Sequence, residues 1–227
     1  MDRARRRRYA GCGPRDPAQK SPPATARRRR KPRIINCRAS PSRSCAIARP
    51  LNASTLLIRP CDGADLAAVT AIYRHHVLHG TGTFEIEPPD AAEMTRRHDD
   101  VRAKGLPWLV AEQDGALSGF AYANHFRARP AYRFFLEDSI YVHPDAAGRG
   151  VGRLLLAELL VRCQALGARQ MLAVIGDAAN TGSIGVHQAL GFEHTGVLKA
   201  AGWKFERWLD VVLMQRALGA GDGSAPA

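Results

Sequence analysis

Two adjacent acids, Glu137 and Asp138, interrupt an otherwise apolar segment, FFLEDSIYV, that ends just before a glycine-rich turn. Burial in an apolar strand raises the pKa of a carboxylate toward the range in which it accepts a proton from a substrate. Successive side chains of a strand point to opposite faces, so we expect Asp138 to point away from the face that carries Glu137. The segment therefore indicates either a general base at Glu137 or an acid paired with a neighbouring arginine.

The turn that follows contains Gly148, Gly150 and Gly152, with Arg149 and Arg153 between and after them. Unpaired backbone amides at a helix N-terminus favour a phosphate group, and glycine lets the backbone approach it closely. The sequence GRGVGR lacks both the GK[ST] end of a Walker loop and the last glycine of G-x-G-x-x-G. Nucleotide hydrolysis and hydride transfer are thus disfavoured, which leaves another phosphate-bearing ligand or an ordinary glycine-rich turn.

Histidines form the third set of candidates. His187, in SIGVHQALGF, falls on a predicted helix, where it is either a second proton-transfer group or a packed side chain. His75, His76 and His79 lie close together on another predicted helix, but no carboxylate or cysteine partner accompanies them, so we predict no metal site. Cys163 falls on an apolar helix face and is predicted to be core.

Hydrophobic periodicity places these residues on a mixed sheet. The predicted strands are 55–60, the hairpin PWLVAE and LSGFAYANHF, FFLEDSIYV in a central position, QMLAVI, 193–198 and 208–215. The predicted helices run over 62–79, 90–105, the stretch from the glycine turn to Gly167, and 180–190. The third helix is predicted to bury one apolar face, made of Val151, Leu154, Leu155, Leu159, Cys163 and Leu166. This order of elements predicts one α/β domain.

Charge is distributed very unevenly. The first 55 residues hold 16 of the 33 Lys and Arg but only 2 of the 21 acids, with arginine runs at 5–8 and 27–30. Such a segment buries too little apolar surface to fold, so we predict a disordered tail over 1–54, a domain over 55–217 and a flexible end over 218–227. The tail is interpreted as a polyanion-binding arm, a transit peptide, a localisation signal, or a solvated stretch from a start placed too far upstream.

Cysteine usage and hydropathy limit the location of the protein. The five cysteines are odd in number and form no CxxC pair, which favours a reducing compartment over a disulfide framework or a zinc site. No apolar run approaches 18 residues, so we predict a cytoplasmic protein without a membrane span.

Taken together, these motifs resemble the GNAT superfamily of acetyl-CoA-dependent N-acetyltransferases. Gly150 and Gly152 fill the last two positions of the superfamily signature [QR]-x-x-G-x-[GA], although Ala147 departs from its first. A second element, N-x-x-S followed by a helix and G-F, is matched from Asn180 to Phe192. LEDSIYV, SIGVHQALGF and GWKFERWLD look like the branch that contains phosphinothricin and methionine sulfone or sulfoximine acetyltransferases, over about residues 56–216.

The resemblance implies a single GNAT-type α/β domain, with a mostly antiparallel sheet splayed at the Glu137 strand and about four flanking helices. It implies that the pantetheine arm of acetyl-CoA pairs with the backbone of Ile140, Tyr141 and Val142. The remaining expected cofactor contacts are Gly148, Arg149, Gly150, Val151, Gly152, Arg153, Asn180 and Ser183.

For the reaction, the resemblance implies direct attack of an amine on the thioester, with Glu137 as general base. His187 stands where many members of the superfamily carry a tyrosine that protonates the leaving thiolate. The expected acceptor is a small amino-acid analogue with polar oxygens, and the expected acceptor-binding residues are Phe84, Arg127, Arg129 and Tyr132. Arg127 and Arg129 are otherwise interpreted as part of a solvated basic loop.

The resemblance also implies a homodimer. Acetylation of another amine, such as a protein N-terminus, is the alternative within enzymes. A protein that binds nucleic acid through the Arg-rich tail is the alternative from a different class.

Overall fold

The computed structural model describes residues 56–226 of the 227-residue chain. The predicted Arg-rich tail, with Cys12, Cys37 and Cys45, lies outside the described residues. None of the described helices is long and apolar enough to cross a membrane.

The described chain forms a seven-stranded sheet with four α-helices. The strands are β1 (Leu57–Pro60), β2 (Trp108–Gln113), β3 (Ala116–His125), β4 (Phe135–Val142), β5 (Gln170–Gly176), β6 (Glu193–Lys204) and β7 (Arg207–Ala217). The helices are α1 (Leu66–His79), α2 (Ala91–Ala103), α3 (Val151–Ala165) and α4 (Thr181–Ala189). The order of elements along the chain confirms the order predicted from the sequence.

The strand order is β1-β2-β3-β4-β5-β7-β6, which places β4 in the middle. Only β4 and β5 run parallel, and every other neighbouring pair is antiparallel. The parallel pairing is short, since it runs from Phe135 to Asp138 on β4, whereas β3 stays paired with β4 up to Val142. The sheet therefore opens between β4 and β5 beyond Asp138, as the resemblance implied.

Local sequence explains where the helices begin and how β2 turns into β3. Asp62 caps a short 3₁₀ turn that leads into α1, and Asp90 accepts a hydrogen bond from the backbone amide of Glu93 at the start of α2. Asp114 and Gly115 both have positive φ, 53° and 80°, as the tight hairpin turn between β2 and β3 requires.

The buried face of α3 differs from the predicted one. Leu154 and Leu166 are 48% and 57% exposed, whereas Leu156 and Leu160 are buried. Because α3 packs across the sheet, each of its turns buries up to two consecutive residues, and Leu154 lies just outside this buried stripe. The buried residues of this helix are Val151, Leu155, Leu156, Leu159, Leu160 and Cys163.

The C-terminal pair of strands is longer than predicted. β6 runs to Lys204 instead of ending at residue 198: the register breaks between Leu198 and Gly202, and β7 then pairs with β6 again, with Gly202 opposite Leu209. Glycine and lysine are weak strand formers, so the sequence alone gave no signal for this extension. After β7, Leu218 is buried and Arg169 donates a hydrogen bond to the carbonyl oxygen of Gly221, so packing continues past residue 217.

Candidate active site

A cleft of about 1190 Å³ lies where β4 and β5 separate. Its walls are the C-terminal half of β4, the segment from Pro144 to Arg153, the end of β5, the first turns of α4 and the loop 80–83. Both Glu137 and Asp138 line it, because residues on the two faces of β4 border the opening between β4 and β5. The cleft therefore brings the predicted base and the predicted phosphate loop together.

Glycine geometry shapes the loop that leads into α3. Gly148 and Gly150 have φ values of 73° and 83°, which favour glycine, and Gly150 is the N-cap residue of α3. The amides of the first turn of α3 have no acceptor within the helix, so they favour a negative group there. Arg153 lines the cleft, whereas Arg149 is exposed and outside its lining.

The free edge of β4 offers backbone groups to the same cleft. The amide of His143 donates to the carbonyl oxygen of Ser118 at 2.8 Å, so the strand alternation turns the backbone of Tyr141 toward β3 as well. The backbone groups on the cleft side are consequently those of Ile140 and Val142, whereas those of Tyr141, expected there as well, pair with β3. The carbonyl oxygen of Val142 already has a partner. His76 of α1 donates from Nε2 to the carbonyl oxygen of Val142 at 2.9 Å, a contact that sequence reasoning missed.

Glu137 is half-buried and has no ion-pair partner within residues 56–226. Burial raises the pKa of Glu137, the neighbouring charge of Asp138 raises it further, and the guanidinium of Arg127 lowers it. The paired-acid alternative is thus not what the described residues show. A carboxylate with a raised pKa at the edge of a cleft can accept a proton.

Asp138 leaves β4 on the other face, as expected, and contacts α4. Its Oδ2 atom lies 3.0 Å from His187 Nε2, and the two side chains are only 3% and 4% exposed. His187 Nδ1 lies 2.8 Å from the carbonyl oxygen of Ser183. Burial lowers the pKa of His187, but the hydrogen bond and the charge of Asp138 outweigh burial, so its pKa is raised.

Asn180 and Ser183 meet at the start of α4. Asn180 Oδ1 accepts a hydrogen bond from the backbone amide of Ser183 at 3.2 Å and so caps the helix. Both residues line the cleft, opposite the glycine turn.

Of the predicted acceptor-binding residues, only Arg127 has an electrostatic link to Glu137. Its guanidinium lies over the ring of Phe126, 4.7 Å from the ring centre. Tyr132 is half-buried with its ring edge against Phe126, and Arg129 is exposed. The structure brings none of the four predicted residues, Phe84, Arg127, Arg129 and Tyr132, to the lining of the cleft.

Phe84 follows the loop 80–83, and its ring lies close to Gly176 of β5 and Gly202 of β6. A Cβ atom added at Gly202 would overlap the ring of Phe84, and one added at Gly176 would overlap the carbonyl oxygen of Thr81. Glycine at these two positions therefore allows a close approach that no side chain permits.

Lys204 fastens this loop from the end of β6. Its ammonium donates to the carbonyl oxygens of Gly80 and Thr83, each at 2.8 Å, and the side chain is buried. The hydroxyl of Thr83 lies 3.0 Å from that of Tyr73, which also donates to Glu85 at 2.8 Å. The sequence could not predict this contact, because the partners of Lys204 are backbone atoms more than 100 residues away.

The three histidines of α1 hold no metal-binding arrangement. Across the described part of the chain, no group of three or more His, Cys, Asp or Glu side chains is placed to hold a metal ion. His75 instead packs with its ring centre 4.9 Å from that of His79.

Comparison with known proteins agrees with this geometry. Residues 69–192 match the profile of the Acetyltransferase (GNAT) family. The chain is 57% identical to phosphinothricin N-acetyltransferase of Alcaligenes faecalis over 71% of this chain and 82% of that protein. It is 37% identical to an L-methionine sulfoximine/L-methionine sulfone acetyltransferase of Salmonella typhimurium strain LT2, over 72% and 95% of the two chains.

A solved structure shows the same fold. The GNAT superfamily phosphinothricin acetyltransferase of Sinorhizobium meliloti, crystallised with acetyl-CoA, superposes with a TM-score of 0.74 at 50% identity. The match covers 76% of this chain and 94% of that one. The chain belongs to the GNAT family and is an acetyl-CoA-dependent N-acetyltransferase.

Proposed function

We propose that this enzyme acetylates the α-amine of a small amino-acid analogue of the phosphinothricin, methionine sulfoximine or methionine sulfone type. The observation that carries the proposal is the half-buried Glu137 carboxylate, without an ion-pair partner in the described residues, at the point where β4 leaves β5. The names of two similar enzymes, at 57% and 37% identity, support these acceptor classes.

The lining of the cleft fits acetyl-CoA in its chemistry. The glycine turn with Arg153 would hold the pyrophosphate, and the edge of β4 at Ile140 and Val142 would hold the amide-bearing pantetheine arm. Asn180 and Ser183 would line the opposite wall. When bound there, acetyl-CoA supplies the acetyl group as a thioester, which an amine can cleave without a metal ion.

The residues of this chain then accept the protons and stabilise the charges of the reaction. An α-amine is an ammonium ion at neutral pH and cannot attack until it loses a proton, which Glu137 accepts directly or through water. The ammonium gives up two protons in all. One ends on the thiol of coenzyme A, and the other leaves through Glu137 to solvent, so the reaction is balanced. We assign to His187, which lines the same cleft, the stabilisation of the departing thiolate by its positive charge, since Ser183 and Asp138 engage both of its ring nitrogens.

The acceptor would enter from the side of Glu137 that faces α1. Arg127 lies near enough to influence Glu137, and a guanidinium suits carboxylate or phosphinate oxygens. The loop 80–83 would form the opposite boundary, held by Lys204. Like Arg127, the residues Arg129, Tyr132 and Phe84 lie outside the lining of the cleft, and they keep a supporting role in this proposal.

We also infer a homodimer and a cytoplasmic location. Trp203 and Trp208 pair across the β6–β7 hairpin and stay 53% and 63% exposed, which is unusual for a surface that meets only water. Both described cysteines, Cys61 and Cys163, are free thiols, in keeping with a reducing compartment. Light scattering of Trp203→Ser and Trp208→Ser would test the dimer, which should dissociate.

The test of the proposed function is acetyl-CoA-dependent thiol release by the full chain. Phosphinothricin, methionine sulfoximine, methionine sulfone, a polyamine and a peptide with a free N-terminus are offered in turn. Saturable release with one of the first three, and none with the last two, is expected. Release only with the polyamine or the peptide would contradict the amino-acid assignment while leaving the family unaffected.

A further inference from the structure

The imidazole of His187 has both ring nitrogens engaged by acceptors. Nδ1 lies 2.8 Å from the carbonyl oxygen of Ser183, and Nε2 lies 3.0 Å from Asp138 Oδ2. A carbonyl oxygen only accepts hydrogen bonds, and this contact is much shorter than the 3.4 Å from Nδ1 to the Ser183 hydroxyl, so Nδ1 carries a proton. The state of the ring therefore depends on the contact with Asp138.

Two proton arrangements satisfy that contact, and both hold the same number of protons. Either His187 is an imidazolium that donates from Nε2 to a carboxylate, or a neutral ring accepts from a protonated Asp138. In each case the pair carries one proton more than a neutral histidine beside an ionised aspartate. In the state without that proton, the lone pair of Nε2 would face the carboxylate oxygen Oδ2 of Asp138 at 3.0 Å, with no hydrogen between them.

The surroundings of the pair favour keeping that proton. Asp138 Oδ1 is buried and has no hydrogen-bond partner, and β5 places the buried Ala173 opposite Asp138 in the sheet register. From α3, the buried thiol of Cys163 interacts electrostatically with Asp138. From β4, Glu137 adds negative charge on the other face.

No Lys or Arg among residues 56–226 forms an ion pair with Asp138. The ring of Phe192, packed edge-on with its centre 4.9 Å from that of His187, adds no charge. A buried carboxylate without compensation is costly, so His187 is the group left to supply the positive charge.

We propose that Asp138 is a positioning residue that keeps His187 protonated and fixed against the cofactor cleft. This inference rests on the proposed function for the role of His187 as a fixed positive charge beside the departing thiolate. Ser183 and Asp138 engage both of its N–H groups, so the ring keeps its own protons and stabilises the thiolate through its charge. Because Glu137 and Asp138 are consecutive, one strand supplies the proton acceptor on one face and holds the positive charge on the other. The second proton of the attacking nitrogen passes to the sulfur, which keeps the proton count balanced.

The direct test is a titration of the His187 ring by NMR of the full chain with ¹⁵N-labelled histidine. The chain has eight histidines, and His187→Gln identifies the signal of interest. An unperturbed histidine is half-charged near pH ~6.5. We expect His187 to remain doubly protonated at pH 7.5 in the parent protein and to be neutral in Asp138→Asn. A neutral ring in the parent, or a ring that stays charged in Asp138→Asn, would overturn the proposal.

Kinetics separate positioning from mere packing. We expect Asp138→Asn and His187→Gln each to lower kcat by on the order of 10²-fold, with the Km for acetyl-CoA kept. The double variant should be no worse than His187→Gln alone, since Asp138 acts through the ring. Additive losses would overturn the proposal. Cys163→Ala, which disturbs the same buried region from α3 without touching either charge, is the matched control and should keep kcat.

If Asp138→Asn does not fold, Asp138→Glu takes its place, because it keeps the negative charge but displaces it. A charged His187 ring with a reduced kcat in this variant would support the positioning role. An unchanged kcat would overturn it. The titration needs no acceptor. If every amino-acid analogue fails as an acceptor, the state of the ring still decides this inference, and the two failures remain distinguishable.

Discussion

Glu137 and Asp138 are neighbours on β4, yet their side chains lie on opposite faces of the sheet. Glu137 shares its face with Tyr141, whose ring centre is 4.9 Å from that of Tyr73 on α1, whereas Asp138 contacts His187 on α4. The opening between β4 and β5 lets both faces meet one cleft. Substitutions of the two acids should therefore give distinguishable defects.

Replacing Glu137 removes only the proposed base. Glu137→Gln keeps the shape of the side chain, so we expect kcat with the acceptor to fall by about 10²–10⁴-fold while acetyl-CoA binding stays unchanged. Steady-state kinetics and calorimetric titration with acetyl-CoA measure the two quantities. Glu193→Gln, an exposed acid on β6, is the control. A Glu137→Gln enzyme with parental kcat would exclude the base assignment.

The pH dependence of kcat should carry an acidic limb from Glu137. A general base acts in its deprotonated form, so activity falls as pH drops through its pKa, which burial raises above the ordinary value of about 4.3. The charge of Arg127 lowers this pKa, so Arg127→Gln should move the limb to higher pH. A limb that moves to lower pH, or that persists in Glu137→Gln, would contradict the assignment.

The fold was largely accessible from the sequence because its elements carry local signals. Asp62, Asp90 and Asn180 each cap the helix or turn that their position predicted, and the Asp114–Gly115 turn has the backbone geometry that its residues favour. The length of β6 was not accessible, since pairing with β7 overrides weak strand propensity.

Within the site, residues with local motifs were predictable and residues with distant partners were not. The glycine turn and Asn180 occur in recognisable patterns and line the cleft as expected. His76, Asp138 and Lys204 contact atoms that are between 49 and 124 residues away in sequence, so no local pattern announces them. The resemblance placed four residues near the acceptor, and the structure puts all four outside the cleft lining: Phe84, Arg127, Arg129 and Tyr132.

Lys204 should matter for the acceptor more than for acetyl-CoA. Lys204→Met keeps the length of the side chain but removes two charge-assisted hydrogen bonds to the loop 80–83, each worth about 1.5–3 kcal/mol. We expect the Km for the acceptor to rise about tenfold or more with little change in acetyl-CoA affinity. Lys199→Met is the control, because Lys199 is exposed and pairs only with Asp210 on the outside of the hairpin. Equal effects of the two substitutions would refute the role of Lys204.

The two arginines of the glycine turn should differ. Arg153 lines the cleft and Arg149 does not, although both are exposed and both follow a glycine. We expect Arg153→Gln to weaken acetyl-CoA binding several-fold and to make it less sensitive to salt, because a charge contact to phosphate is lost. Arg149→Gln should change the affinity less. The opposite ranking, measured by calorimetry at two salt concentrations, would place the pyrophosphate elsewhere on the turn.

The contact between Gly202 and Phe84 gives a stability test with a built-in control on the same strand. A Cβ atom at Gly202 would overlap the Phe84 ring, whereas one at Gly196 meets nothing within 4 Å. Overpacking of this kind costs about 1–3 kcal/mol, so Gly202→Ala should lower the melting temperature by several degrees and Gly196→Ala should leave it nearly unchanged.

Phe84 decides whether that loss arises from the predicted overlap. In a Phe84→Ala background the ring is gone, so adding Gly202→Ala should cost little further stability, and the two substitutions should be strongly non-additive. Because Phe84 adjoins Thr83, whose carbonyl oxygen accepts from Lys204, Gly202→Ala in the parent should also raise the Km for the acceptor. Additive losses of stability, measured by thermal unfolding, would mean that Gly202 is required for the conformation of the strand itself and not for the packing of the Phe84 ring.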